Sequence, residues 1–114
     1  MVKILDDVKE YCGIQETFTG FDNELLTIIN DTVSTLVLLG VSDFQDTYVD
    51  ANTEYPDMQN IVLEASVRHY LKLKVRFGFD PPSNQSISTM VESTLSNLVS
   101  RILYFTDGVP EEVV

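Results

Sequence analysis

Between Arg68 and Pro82 the chain reads RHYLKLKVRFGFDPP, and no other stretch limits the fold as much. Four of its seven cations sit there: Arg68, Lys72, Lys74 and Arg76. At about 3.6 residues per turn, Arg68, Lys72 and Arg76 stand one above another on a single helical ridge. Glu64, one turn earlier, is in position to pair with Arg68. An apolar stripe runs on each side of the ridge: Ile61, Ala65, Leu73 and Phe77 on one, Leu63, Val67, Leu71 and Val75 on the other. A helix with two apolar flanks needs two packing partners. Phe77-Gly78 is placed to end the helix, because Gly takes the left-handed conformation of a helix stop, and Asp80-Pro81-Pro82 bars a restart.

The same periodicity recurs along the chain. Ile4, Leu5, Val8, Tyr11 and Cys12 fit a short amphipathic helix over residues 2–12, stopped by Gly13, and IQETFTGF then reads as a connection. Asp22 is suited to N-cap a second helix, in which Leu25, Ile29, Val33 and Val37 form one stripe, Ile28 and Leu36 lie beside it, and Gly40 marks the end. From Val41 to Tyr55, Asp43, Asp46, Asp50 and Glu54 recur every three or four positions, so a short helix fits part of the segment. A metal site is disfavoured there, because the spacing lacks the alternating ligands and central Gly of an EF-hand loop. Tyr55-Pro56 reads as the opening of the third helix, with Pro in the first turn where its missing N–H costs nothing. SNQS after Pro82 offers caps for a fourth, with Ile87, Val91, Leu95, Val99 and Leu103 as one stripe and Met90, Leu98 and Ile102 beside it. The opposite face, Ser88, Thr89, Ser93, Ser96, Asn97 and Ser100, is polar and almost uncharged, which leaves a subunit contact and simple sequence drift both open. Gly108-Val109-Pro110 reads as the helix stop and residues 108–114 as a flexible tail. The expectation is an all-α chain, a small bundle of about four helices.

At 114 residues the chain suits one domain over residues 1–114, with a core that buries roughly two thirds of the unfolded surface. No run approaches the ~20 apolar residues that span a bilayer. The opening MVKILDDVKEY carries acids where a secretory signal carries its apolar core, so synthesis in a cytoplasm is expected. The single cysteine, Cys12, has no partner for an internal disulfide. Eighteen acids against seven cations give a formal net charge of −11, which repels phosphate backbones at long range. Thirteen of those acids precede Arg68, where only Lys3 and Lys9 offset them, so an acidic front faces one basic ridge. Such a molecule attracts a copy of itself head to tail, and heterologous contacts close into rings when the rotation allows. A merely solvated acidic face accounts for the composition equally well.

Catalysis needs a titratable group beside an activating partner. Cys12 and His69 are the only Cys and His, and nothing in the sequence brings them together. His69 falls on the stripe of Ile61, Ala65, Leu73 and Phe77, which makes a hydrogen-bonded core or interface histidine the default. There is no phosphate-binding glycine loop, no HExxH and no Cys cluster, so no enzyme, cofactor or metal is expected. The ridge lacks an aromatic stacking platform or a recognition-helix pattern, which disfavours sequence-specific DNA binding.

A helix ending in alternating Leu and Lys or Arg, then an aromatic, Asp-Pro-Pro, and a Ser-Asn turn into a last amphipathic helix resembles the head-to-tail connector (adaptor, or head completion) proteins of tailed bacteriophages. The matching residues are Tyr70, Leu71, Lys72, Leu73, Lys74, Arg76, Phe79, Asp80, Pro81, Pro82, Ser83 and Asn84, and the likeness is strongest from about residue 61 to 104. The chain departs from the pattern in carrying Phe77-Gly78-Phe79 where a single aromatic is expected. The resemblance implies a homo-oligomeric ring, usually of twelve subunits, at the head–tail junction of the virion. That ring sits under the portal protein and is followed by a stopper or tail-completion protein. DNA passes through it during packaging and ejection without sequence-specific binding, and no membrane takes part. Arg68, Lys72, Lys74, Arg76, Phe79, Asp80, Pro81 and Pro82 are then the residues expected at a subunit or partner interface. A monomeric helical adaptor that binds a host or regulatory protein through the third helix is the alternative.

Overall fold

The computed structural model describes residues 2–106. Four α-helices follow in chain order: α1 (Ile4–Tyr11), α2 (Asp22–Leu38), α3 (Ile61–Phe79) and α4 (Gln85–Phe105), with one 3-10 turn at Ser42–Phe44. The chain is all-α as expected; among the described residues the one extended pairing is an isolated antiparallel bridge between Lys3 and Glu54. The expected helix stop at Gly108-Val109-Pro110 and tail at 108–114 lie outside the described residues. Within them α4 ends at Phe105, and the hydroxyl of Thr106 donates to the carbonyl of Leu39 at 2.9 Å, tying the ends of α4 and α2 together.

Local chemistry sets most helix boundaries. Gly13 (φ 75°) and Gly40 (φ 96°) close α1 and α2 in the left-handed conformation. The next N–H in each case reaches back to satisfy a free carbonyl, Ile14 to Lys9 at 2.8 Å and Val41 to Leu36 at 3.0 Å. Asn60 and Asn84 cap α3 and α4, each side-chain oxygen accepting two N–H groups of the first turn.

Three expected boundaries are corrected. Asp22 is the first residue of α2 and makes no capping bond, because its carboxylate is drawn to Lys9 instead. Tyr55-Pro56 does not open α3: Tyr55 N–H donates to the Val2 carbonyl at 3.2 Å and Glu54 bridges to Lys3, which holds the segment extended until Asn60 caps the helix. Gly78 does not end α3 either. It lies within the last turn, where an added Cβ would meet Ile28 of α2 at 3.5 Å, and the helix stops at Asp80, whose place before Pro81 excludes helical geometry.

α3 is the hub, the one described helix that packs against each of the other three, whereas α4 rests on α3 alone. Its stripe of Val67, Leu71 and Val75 is fully buried together with Ser66 and Tyr70, and Leu63 is partly so. Around it close Ile4, Leu5 and Val8 of α1, Leu25, Ile29, Val33 and Leu36 of α2, and Leu95, Leu98 and Ile102 of α4. Val41, Phe44, Val49 and Tyr55 of the long connection complete this core. Burial of each such aliphatic side chain contributes about 1.5–3 kcal/mol. The extents, 48 × 35 × 20 Å, describe a slab about two helix diameters thick, which leaves broad faces on α3 and α4 uncovered.

Among the described residues the second stripe of α3 is uncovered at its start. Ile61 is 78% exposed, Ala65 and His69 are exposed, and Leu73 and Phe77 are half-buried. His69 is therefore not in the core. Met90, expected beside Leu98 and Ile102, is 65% exposed, and no residue from Gln85 to Thr94 is buried.

Candidate functional site

The basic ridge of α3 is a seam between α3, α1 and the end of the long connection. Arg68 pairs with Glu64 at 2.7 Å, and its guanidinium lies over the ring of Tyr55, 4.2 Å from the centroid. Tyr55 donates its hydroxyl to the Asp7 carboxylate at 2.7 Å. Lys72 stands 3.5 Å from the same carboxylate and over the Tyr11 ring, and Arg76 approaches that ring and donates to the Tyr11 carbonyl at 3.5 Å. Asp7 and Tyr11 are four residues apart on α1, as Lys72 and Arg76 are on α3, so each helical turn of one meets a turn of the other. That matched spacing is the sequence signal for these partners. Burial, and then the hydrogen bond to Asp7, hold the Tyr55 phenol well above its usual range, so it remains a donor.

The cations differ in what they have left to offer. Arg68 and Lys72 each have a carboxylate partner within the chain, whereas Arg76 and Lys74 are exposed and in no ion pair among the described residues. At the corner between α3 and α4, Arg76, Asp80, Pro81 and Pro82 come together as the lining of one groove of about 470 Å³. Leu73, Phe77, Ile87 and Val91 supply its apolar walls and Tyr11 its α1 side. Phe79 turns away from that lining and packs edge-on against Phe21 at 5.1 Å, which in turn meets Phe18 at 5.3 Å. Of the eight residues expected at an interface, four thus share a groove and Phe79 braces the corner. Arg68 and Lys72 are turned toward Tyr55 and α1, and Lys74 stands apart.

The groove combines apolar walls with a few polar groups, among them Ser83. Its lining offers Asp80, Arg76 and Tyr11 but no His or Cys. The nearby Cys12 thiol is pushed up by burial, with Arg76 opposing and Asp80 reinforcing, which suppresses the thiolate a nucleophile needs.

A polar anchor that sequence reading missed lies beneath the α1–α2 connection. Lys9 is 2% exposed and donates to the carbonyls of Glu16 at 3.0 Å and Phe18 at 2.6 Å. Asp22 Oδ1 stands 2.9 Å away, out of line for a hydrogen bond and acting as counter-charge. A lysine on the α1 stripe position next to Val8 was the available sign, but only the folded loop supplies its acceptors.

Compared with known proteins, residues 4–108 match the model of a family described as phage connector protein. No curated protein and no solved structure matches the chain.

Proposed function

The chain belongs to the phage connector protein family, and from that premise we propose that it is a structural protein of the virion's head–tail junction. Its subunits form a ring, twelve in the virion, between the portal protein and a stopper or tail-completion protein. DNA passes through the ring during packaging and ejection without base recognition. The charge of −11 suits this role, since an acidic wall does not hold phosphates.

The observation that carries the reading is the uncovered flank of α3. Ile61, Ala65 and His69 form a line along the hub helix that the described residues leave open, continued by the half-buried Leu73 and Phe77, and a neighbouring subunit is its natural cover. Because Arg68 and Lys72 are occupied within the chain, the charge contribution between subunits falls mainly to Arg76 and Lys74. Exposed ion pairs contribute only ~0–1 kcal/mol each, so the apolar flank supplies affinity and the cations supply register.

Sedimentation velocity of the full chain, alone and with purified portal, tests the reading. A ring-sized species in either condition is expected, and Ile61→Ser with Ala65→Asp, both at exposed positions, is expected to remove it. A chain that stays monomeric at every concentration, with and without portal, would refute the ring and favour the single-subunit adaptor.

A further inference from the structure

The acidic connection between α2 and α3 is firmly held. Asn30 accepts from the N–H of Val49 at 2.8 Å and donates to its carbonyl at 3.0 Å, clamping the segment to α2. The clamped Val49 and Phe44 before it are fully buried. Asp46 takes a left-handed turn (φ 62°), and the Asp50 carboxylate accepts from Asn52 N–H at 2.8 Å and from the Thr53 hydroxyl at 3.0 Å. Between these fixed points Tyr48 is 78% exposed. Asp43, Asp46 and Asp50 are exposed around it, in no ion pair among the described residues. No Lys, Arg or His occurs from Glu10 to Val67, so nothing nearby in sequence neutralises them.

We propose that Tyr48 is a knob received by the corner groove of a second copy of this chain, with Asp46 and Asp50 facing that copy's Arg76. The proposal rests on the ring reading and names its contact. An apolar cavity of about 150 Å³ takes up a benzene-sized ring, so the groove's 470 Å³ has room for the phenol and its flanks. Arg76 in its lining has no carboxylate partner among the described residues, and the knob brings several. Asp80 adds one negative charge to the lining, so the phenol enters while the loop's acids stay on the Arg76 side.

A chain does not fill its own groove this way. The knob is clamped to α2, the groove lies between α3 and the start of α4, and α2 and α4 pack on α3 without packing on each other. Knob and groove are different surfaces, which makes the contact heterologous and lets it propagate from copy to copy into a ring. A rigidly presented aromatic loses little conformational freedom on docking, the property that makes Tyr a frequent anchor of interfaces.

Two experiments on the full chain test the contact. Tyr48→Ala is expected to raise the concentration needed for ring formation by about thirtyfold, the effect typical of an anchor side chain, with far-UV circular dichroism unchanged because the residue is exposed. Arg76→Glu and Asp46→Arg should each weaken assembly, and their combination should restore it. In a Cys12→Ser background, Thr47→Cys with Ser83→Cys, which leaves Tyr48 and the apolar walls in place, should give a reducible ladder of covalent multimers on oxidation, whereas either cysteine alone gives dimers at most. If unaltered chains form rings while Tyr48→Ala rings form equally well and no ladder appears, the knob contact is overturned and the ring stands. If unaltered chains form no ring with or without portal, the ring reading falls and the contact with it.

Discussion

Replacing Lys9 by Met isolates what the buried ammonium does. Met keeps most of the aliphatic stem at this buried position but removes the charge and all its donors. Two carbonyls, of Glu16 and Phe18, then lose a charged donor, and the Asp22 carboxylate loses its counter-charge. Bonds to a charged group are worth about 1.5–3 kcal/mol each, and stripping one partner from a buried pair costs about 3–5 kcal/mol. These are not additive, and Asp22 is 22% exposed, so water recovers part of the loss. A net cost of about 3 kcal/mol follows, against a total stability of about 5–15 kcal/mol for a domain. Urea unfolding followed by circular dichroism measures it, with an unchanged slope as the sign that the compactness of neither state has altered. Adding Asp22→Leu removes the orphaned carboxylate and should return about 1 kcal/mol or more. A loss below about 1 kcal/mol for Lys9→Met, or a double variant no better than the single, would refute the assignment of this cage as a stabilising anchor.

Phe79→Ala should cost about 2 kcal/mol in the same assay, below the value for a fully enclosed ring because Phe79 is half-buried against Phe21, and Pro81→Ala should cost less than 1 kcal/mol; equal small losses would mean that the helix stripes alone set the corner. Leu71→Ala should cost about 2–5 kcal/mol, whereas Ile61→Ala should stay within about 0.5 kcal/mol for the single subunit; a large loss at Ile61 would show that this flank is covered within one chain. Tyr55 holds its proton more tightly in the folded chain, so its contribution is complete below the unfolded phenol range near pH ~10 and declines as pH rises beyond it; Tyr55→Phe should flatten the alkaline limb of a stability profile, and an unchanged limb would remove Tyr55 as its cause.

Much of this architecture is legible in the sequence because it is local. The stripes through Leu25, Ile29 and Val33, through Val67, Leu71 and Val75, and through Leu95, Leu98 and Ile102 follow from helical spacing, and Gly13, Gly40 and Asn84 mark ends that depend only on adjacent residues. What was missed depends on partners far along the chain. The start of α3 is set by the pairing of Glu54 and Tyr55 with the first residues, which overrides the helix-opening tendency of Pro56. His69 shares a stripe with Leu73 by spacing, but which of two apolar flanks a helix buries is decided by where the other helices dock. For the candidate site, the cation ridge and the corner are visible in the residues, and Glu64–Arg68 is predictable from its spacing. The turn of Arg68 and Lys72 toward Tyr55 and Asp7 is not, since it arises from contacts between distant parts of the chain, 48 positions apart for Tyr55 and Asp7 and further still for Lys72 and Asp7.

The seam between α1 and α3 also carries an entropic cost that the other helix contact of this site does not. α3 and α4 are joined by a five-residue corner, whereas the bonds from α1 to Tyr55 and Arg76 close loops of 48 and 65 residues. Closing the longest of these costs about 2 kcal/mol more in chain entropy than closing the corner. With eight residues, α1 is also too short to hold its helix in isolation. The α3–α4 corner is thus the less costly contact to close, and the seam that gives Lys72 and Arg76 their partners Asp7 and Tyr11 is the more costly one. Docking of α1 is what converts the cation ridge from an open row of charge into an internal joint.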